Sequence, residues 1–206
     1  VQVEFPSKVV LDGVSLGVDA GDRIGIVGRN GDGKSTLLAL LAGQLEPQLG
    51  RVIRTNGVQV GVLGQTDSLS DTDMVGHAIV GDLPEYEWAS DARIRSVIAG
   101  IVADIPWDKT INTLSGGQRR RVDLARLLVG DYDVIMLDEP TNHLDVRSIN
   151  WLAEHLKSRW RTDQGALLVV THDRWFLDEV CTSMWEVHDR RIEPFEGGFS
   201  AYIMQR

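Results

Sequence analysis

Residues 28–36 read Gly-Arg-Asn-Gly-Asp-Gly-Lys-Ser-Thr, and this stretch decides the fold that the sequence predicts. It fits G-x-x-x-x-G-K-[S/T], the pattern of phosphate-binding loops. The flanking sequence agrees, because the apolar run 24–27 predicts a buried strand and the run 37–42 predicts the helix that follows. From average residue usage, a chance match in a chain of this length has a probability on the order of one per cent. The stretch therefore predicts a nucleotide site.

The residue types in this loop have physical reasons. Several backbone N–H groups must approach a triphosphate closely and Cβ atoms obstruct that approach, which explains the glycines. The N-terminus of the following helix presents a partial positive charge to the same anion. Lys34 would reach the β- and γ-phosphates, and the Ser35 hydroxyl would bind Mg²⁺. The predicted nucleotide-binding residues of the loop are Gly28, Asn30, Gly31, Gly33, Lys34, Ser35 and Thr36.

Length and composition set the broad class. The chain has 206 residues, which suits one soluble globular domain. No apolar run approaches the length of a membrane span, and the first residues lack a signal pattern. Cys181 is the single cysteine, which excludes an intramolecular disulfide and predicts a reducing, cytoplasmic location. The formal net charge of −9 argues against a broad nucleic-acid-binding surface, and a local basic patch is the alternative.

Apolar patterns predict mixed strands and helices. The helix after the loop should end near Gly43, and Asn56-Gly57 predicts a hairpin. Between 66 and 113 short helices are expected, with Trp88 and Trp107 as packing residues. Helices are also expected from near residue 119, around 149–160, and before the last strand. Strands are expected over 1–5, 10–18, 51–54, 58–63, 134–137, 167–170 and 184–187.

Two acids follow an apolar strand. Asp138 and Glu139 come directly after 134–137, at the carboxyl end of a strand that is predicted to be parallel and buried. Asp138 suits the role of metal ligand, directly or through water. Glu139 suits the orientation and polarisation of an attacking water. The alternative is a strand that ends in an ordinary acidic turn.

A second glycine-rich helix start lies at 114–118, Leu-Ser-Gly-Gly-Gln. Ser115 predicts an N-cap, and the two glycines expose backbone amides where an anion would bind. A capped loop without a ligand is the alternative. The helix that follows carries four arginines, which we expect to be mostly solvated, with RNA contact as the alternative: Arg119, Arg120, Arg121 and Arg126.

These motifs together resemble those of ATP-binding-cassette (ABC) nucleotide-binding domains over essentially the whole chain. Segment 114–118 is similar to the family's signature, and the resemblance implies that Ser115, Gly116, Gly117 and Gln118 contact nucleotide. It further implies that Gln65 is the Q-loop contact to metal and water, that Asp145 in the D-loop 142–145 organises the dimer interface, and that Phe5 stacks on adenine. Segment 171–173 resembles the switch region, and the place of His172 after a third parallel strand favours contact with the γ-phosphate.

Within the family, segments 139–145 and 172–177 resemble the ABC-F subgroup, and 28–31 with 149–152 look closest to its Uup-like branch. These are soluble proteins with two tandem cassettes, mostly ribosome-associated. Segment 195–202 resembles the close of a first cassette. We therefore expect residues 1–206 to form a single domain of a longer two-cassette protein, with a helical lobe at about 66–130 that is too short for an arm insertion.

The resemblance implies an α/β P-loop NTPase of the ABC-cassette fold, with a mixed sheet core, an antiparallel β portion and a helical lobe. Its implied cofactors are ATP and Mg²⁺, and its implied partner is a second cassette, in the same chain or in a dimer. Each ATP would lie between one phosphate loop and the partner's segment 115–118, with Glu139, Lys34 and His172 as catalytic residues. An isolated domain would then hydrolyse ATP weakly. The ribosome is a possible further partner and no stable membrane partner is expected. The alternatives are the ATPase subunit of a membrane transporter and a nucleotide-gated module that acts on nucleic acid.

Overall fold

The structure is a computed structural model that describes residues 3–5, 8–11, 16–48, 50–54 and 56–206, with only the backbone of 3–5 and 8–11. It forms two compact units. The first comprises Val1–Gly64, Tyr132–Pro140 and Leu156–Arg206, and the second comprises Gln65–Asp131 and Thr141–His155.

The described strands and helices follow one another in mixed order along the chain. The strands are β1 (Val3–Phe5), β2 (Lys8–Leu11), β3 (Arg23–Gly28), β4 (Val60–Leu63), β5 (Val134–Asp138), β6 (Ala166–Val170), β7 (Ser183–His188) and β8 (Arg191–Glu196). The helices are α1 (Lys34–Ala42), α2 (Val75–Val80), α3 (Glu85–Trp88), α4 (Ala92–Ile101), α5 (Gly116–Val129), α6 (Val146–Ser158), α7 (Arg174–Val180) and α8 (Phe199–Gln205), with a short 3₁₀ turn at Ile111–Thr113.

The first unit is built on a six-stranded sheet in the order β4-β5-β6-β3-β7-β8. All neighbouring pairs are parallel except β7 and β8, which are antiparallel. A separate antiparallel pair joins β1 and β2. The central strands are buried on both faces, which explains why β3, β5 and β6 have near-continuous apolar sequences. The predicted α/β class with a mixed sheet is confirmed.

The core of the first unit fixes the phosphate loop. Helix α1 buries Leu37, Leu38 and Leu40 against Ile24 and Ile26 of β3. Buried side chains of β5, β6 and β7 extend the same cluster. The loop between β3 and α1 is therefore held at both ends by packed elements, and its conformation follows from them.

The second unit is helical, as predicted for this part of the chain. Helix α5 packs against α2 and α4 and buries Val122 and Leu128. The rings of Trp88 and Trp107 lie 4.8 Å apart, as expected of packing residues. Across the described parts of the chain, no helix combines the length and the apolar character that crossing a membrane requires.

The hairpin predicted at Asn56-Gly57 is wrong. The two residues form a turn, but 51–54 is not a strand, and only β4 forms after the turn. The backbone of Gln59 accepts hydrogen bonds from Asp133 and Val134, at 2.8 and 3.1 Å, and β4 continues as the parallel partner of β5. The backbone hydrogen-bonding groups that a local hairpin would use are therefore already paired with β5 and the residue before it.

The predicted strand 10–18 is shorter than expected. The structure ends β2 at Leu11 and has no strand at 16–18, while 12–15 lie outside the described residues. The hairpin of β7 and β8 was not predicted. Its two-residue turn has positive φ at Asp189 (48°) and Arg190 (64°), a type I′ geometry that normally selects glycine or asparagine.

Candidate functional site

The loop at 28–36 requires its glycines. Gly28, Gly31 and Gly33 have φ of 151°, 87° and 101°, a region that side chains disfavour. A Cβ at Gly28 would also lie 2.4 Å from the carbonyl oxygen of Val187 on β7. The backbone conformation at these three positions therefore favours glycine, as predicted.

Asp32 closes the loop on itself. Its Oδ2 accepts a hydrogen bond from the backbone of Arg29 at 2.9 Å, and its own N–H donates to the Arg29 carbonyl at 3.1 Å. The tip formed by Arg29, Asn30 and Gly31 is exposed. The residue that caps α1 is Gly33, which has no side chain to compete for the amides of the first helical turn. The amides of this first turn therefore have no side-chain cap, and a helix N-terminus of this kind suits an anion.

Lys34 lies inside this loop. Its Nζ donates to the carbonyl oxygen of Gly28 at 2.7 Å, and the residue is buried. Desolvation lowers the pKa of Lys34, while the carboxylates of Glu139, Asp32 and Asp138 oppose that shift. The loop thus holds a partly desolvated cation where a triphosphate would bind.

Ser35 connects the loop to β5. The Ser35 hydroxyl donates to Oδ2 of Asp138 at 2.7 Å, across 103 positions of sequence. Asp138 is only 5 % exposed. A hydroxyl and a carboxylate are the hard oxygen donors that Mg²⁺ prefers. No cluster of three His, Cys, Asp or Glu residues that could hold a metal occurs in the described residues, so a Mg²⁺ here would rely on Ser35, on Asp138 and on oxygens of the nucleotide.

Glu139 and His172 meet at the ends of β5 and β6. Glu139 has a φ of 50°, unusual for a residue with a side chain, and its N–H donates to the Val170 carbonyl at 2.6 Å. Its Oε1 lies 3.4 Å from Nε2 of His172. The hydrogen bond to Val170 on β6 thus holds Glu139 in an uncommon backbone conformation. Such conformations cluster at functional sites, where the direction of a side chain matters.

The turn around His172 is held by its two neighbours. The buried hydroxyl of Thr171 accepts a hydrogen bond from the Asp173 N–H at 3.0 Å. Asp173 in turn caps α7 by accepting from the Phe176 N–H at 3.0 Å. Sequence reasoning did not assign roles to Thr171 and Asp173. The signal that could have identified the cap is an aspartate directly before a helical segment.

The second unit contains the predicted signature residues. Ser115 Oγ accepts from the Gln118 N–H at 3.1 Å, and Gln118 Oε1 accepts from the Ser115 N–H at 3.0 Å, which is a capping box. The predicted N-cap at Ser115 is confirmed. The capping box satisfies backbone N–H groups at the helix start, so α5 begins at the next residue, Gly116. A Cβ at Gly117 would lie 3.1 Å from the ring of His143, whereas Gly116 has open space around it. Their contact with nucleotide stays a prediction.

Gln65 and Asp145 also belong to the second unit. Gln65 lines a cavity of about 340 Å³ together with Thr66, Asp67, Gly116 and Arg120. Asp145 accepts a hydrogen bond from the Ser148 N–H at 2.8 Å, and this bond lowers the pKa of the Asp145 carboxyl. The side chain of Phe5, predicted to stack on adenine, lies outside the described residues, so that role stays a prediction.

The expectation that the arginines of α5 are mostly solvated is wrong. All four are half-buried, and three of them pair with carboxylates of the second unit. Arg119 pairs with Asp67 and Asp71, Arg121 with Asp104, and Arg126 with Asp123. Asp67, Asp71 and Asp104 are far in sequence from the arginines that they bind. The sequence of α5 alone therefore suggested that its arginines are solvated. Paired guanidinium groups are also poor candidates for RNA phosphate contacts.

Comparison with known proteins agrees with these motifs. The family model described as ABC transporter matches residues 11–142. The energy-dependent translational throttle protein EttA of Mycobacterium tuberculosis is 35 % identical over 97 % of this chain and 41 % of its own length. The ribosome protection protein VmlR of Bacillus subtilis is 34 % identical over 100 % of this chain and 34 % of its own length. A solved structure of an archaeal ribosome recycling factor with a ribosomal stalk protein has a TM-score of 0.79 at 25 % identity, covering 93 % of this chain and 38 % of that one. The chain thus spans less than half the length of these relatives.

Proposed function

Since this chain belongs to the ABC transporter family, we propose that it is the nucleotide-binding domain of an ABC-F protein that couples Mg²⁺-dependent ATP hydrolysis to a task on the ribosome. The predicted family and cassette fold are confirmed, and the curated relatives include ABC-F proteins. Assignment to the Uup-like branch stays a prediction. Because the chain spans less than half of those relatives, the activity and partners of the whole protein are inferred here.

The observation that carries this proposal is the hydrogen bond between Ser35 and Asp138, since it joins the phosphate loop to the acidic strand end. When bound, Mg²⁺-ATP supplies the phosphoryl group for transfer to water and a metal charge that offsets the phosphate charge. The loop amides and Lys34 bind the phosphates. Ser35 and Asp138 would hold the metal. Glu139 orients the attacking water and accepts its proton, and His172 beside it keeps that carboxylate in place and stabilises charge on the reacting phosphate.

A second cassette would complete each site. The residues of the capping box, Ser115 to Gln118, are proposed to contact the ATP that a second cassette holds, and Asp145 is proposed to lie at the interface between the two. An isolated domain contains half of each composite site, so its own ATP hydrolysis should be weak. We infer that residues 1–206 act as one such domain, in the cytoplasm, within a longer two-cassette protein.

The names of the relatives support a ribosomal task. One is a translational throttle protein, a second is a ribosome protection protein, and the recycling factor was solved with a ribosomal stalk protein. A transporter subunit would instead need a membrane partner, and a nucleic-acid module would need basic side chains that are not already paired. The ion pairs of Arg119, Arg121 and Arg126 argue against the nucleic-acid module, and the names of the relatives favour the ribosomal task over the transporter subunit.

The test uses the full-length protein and three variants. Lys34→Ala should lose ATP affinity, and Glu139→Gln should keep that affinity but lower kcat by roughly 10²-fold or more, the effect of losing a general base. With ATP, Glu139→Gln should sediment with ribosomes more strongly than wild type. Glu87→Gln is the matched control, because Glu87 is an exposed acid of α3.

Three results would contradict the proposal. Unchanged ATP affinity in Lys34→Ala would remove the phosphate-loop assignment. Unchanged hydrolysis in Glu139→Gln would show that Glu139 does not have the proposed catalytic role. Recovery of the protein with membranes and an integral protein, rather than with ribosomes, would favour the transporter subunit.

A further inference from the structure

We propose that Arg119 is a positioning residue that ties Gln65 to the start of α5, so that the Q-loop contact and the signature residues move as one piece. This inference rests on the proposed function, because it concerns the predicted ATP contacts of Gln65 and of the signature residues. It assigns a role to a side chain that sequence reasoning left on a solvated face.

Arg119 holds two carboxylates at once. Its Nε and Nη2 donate to Oδ2 and Oδ1 of Asp67 at 3.1 and 2.9 Å, which is a bidentate pair. Its Nη1 donates to Oδ1 of Asp71 at 2.6 Å. The planar guanidinium group fixes direction as well as distance, which a lysine ammonium group does not. One side chain therefore determines where two points of the segment 67–71 lie relative to α5.

The two ends of this connection lie beside predicted ATP contacts, which are Gln65 at one end and the capping-box residues at the other. Asp67 follows Gln65 by two positions, and Arg119 directly follows Gln118, the last residue of the capping box. The tie is reinforced on both sides. Asp67 Oδ1 also accepts from the Leu69 N–H at 3.1 Å, and the Asp71 carbonyl accepts from the Asn112 N–H at 3.1 Å. A displacement of Gln65 is therefore transmitted to the residues that precede and begin α5.

Packing does not explain the arrangement. Gln65, Asp67 and Gly116 line the same cavity of about 340 Å³, so the space beside them is not filled by an apolar core. The bonds to Asp67 raise the pKa of Arg119, and those from Arg119 lower the pKa of Asp67, so both groups are charged at neutral pH. Partly exposed ion pairs contribute little to stability, commonly about 0–1 kcal/mol. Geometry rather than stability is what this pair supplies.

The test is a set of kcat measurements on the full-length protein. Arg119→Gln should lower kcat for ATP roughly tenfold and leave ATP affinity unchanged, because a misplaced Gln65 affects the reacting geometry and not the binding loop. Asp67→Asn should reproduce this loss. Arg119→Lys, which keeps the charge without the fork, should fall between wild type and Arg119→Gln.

A double variant identifies the route of the effect. If Arg119 acts through Gln65, then Arg119→Gln should change kcat by less than about twofold when Gln65→Ala is already present. Arg121→Gln is the matched control, because Arg121 lies on α5 like Arg119 and also forms a bidentate pair, in its case with Asp104. It should leave kcat within about twofold of wild type in both backgrounds.

A second readout needs neither ATP nor turnover. Hydrogen–deuterium exchange of the nucleotide-free protein should become faster at 66–73 in Arg119→Gln, because the Asp67 carboxylate that holds the Leu69 amide is released. In Arg121→Gln this segment should exchange as in wild type. Melting temperatures establish that each variant is folded.

The inference is overturned if the kcat effects of Arg119→Gln and Gln65→Ala multiply, or if exchange at 66–73 is unchanged. Either result would leave the proposed function intact. A wild-type protein that neither binds nor hydrolyses ATP would instead remove the proposed function, while the exchange measurement would still decide whether Arg119 holds the segment.

Discussion

Ser35→Ala should destabilise the protein even when no nucleotide or metal is present. The variant removes the 2.7 Å hydrogen bond that the Ser35 hydroxyl donates to the buried Asp138 carboxylate. A hydrogen bond to a charged group contributes about 1.5–3 kcal/mol, and we take the lower end because Ser35 is itself partly exposed. For a chain of 206 residues, each kcal/mol corresponds to about 2–4 °C. The expected fall in melting temperature is therefore about 3–6 °C.

The assay is thermal unfolding followed by circular dichroism in EDTA, which isolates the hydrogen bond from metal binding. Asp138→Asn provides the matched comparison, because an amide oxygen keeps the shape and accepts a neutral hydrogen bond. Bonds to a charged partner are roughly twice as strong as neutral ones. Ser35→Ala should therefore have about half its effect when it is combined with Asp138→Asn.

Two outcomes would refute this reasoning. A Ser35→Ala protein that melts at the wild-type temperature would mean that the bond contributes nothing to the nucleotide-free state. An equal effect of Ser35→Ala with and without Asp138→Asn would mean that the two residues are not coupled. Repeating the melts with Mg²⁺-ATP at about 100 times its Kd should stabilise wild type by about 2.7 kcal/mol and both single variants by less.

Three further predictions concern other residues. Gly28→Ala should abolish ATP binding and lower the melting temperature, because its Cβ would lie 2.4 Å from a backbone oxygen of β7. Gly17→Ala should change neither, because no atom of the described residues lies within 4 Å of a Cβ at that position. Cys181 should resist Ellman's reagent until urea unfolds the protein, since burial raises the pKa of its thiol; rapid labelling of the native protein would contradict this. The stability that the Asp67 pair contributes should be present above the unfolded pKa of 3.8 and lost as pH falls through the lower folded pKa. Urea titrations should thus show a stability difference between wild type and Arg119→Gln, at most about 1 kcal/mol, that is larger at about pH 6 than at about pH 3.

The phosphate loop and its acidic partners could be predicted because their constraints are local. Glycines with positive φ, an apolar strand buried on both faces and a Ser-x-x-Gln cap each leave a signal within a few residues of sequence. Placing Asp138 beside Ser35 needed more than that, since 103 positions separate them. The rule that parallel strands bring their carboxyl ends together supplied the missing step.

Features fixed by distant partners could not be predicted. Asn56-Gly57 has the local signal of a hairpin, but β4 pairs with β5 instead. Conversely, Asp189 and Arg190 form a hairpin turn without any glycine, because the β7–β8 ladder imposes their positive φ. Arg119 read as solvated because its partners Asp67 and Asp71 come from another segment. In each case the tertiary contact outweighs the local preference.

The order of strands in the sheet has a consequence for biosynthesis. Strand β3 carries the phosphate loop near the start of the chain, but its two neighbours are β6 and β7, which begin at Ala166 and Ser183. A growing chain therefore exposes both edges of an apolar strand until residues 166–188 have left the ribosome. Such edges invite pairing with other chains, and closing them requires contacts between distant segments, which form slowly. Nucleotide cannot assist early folding here, because the loop that binds it acquires its supporting strands last.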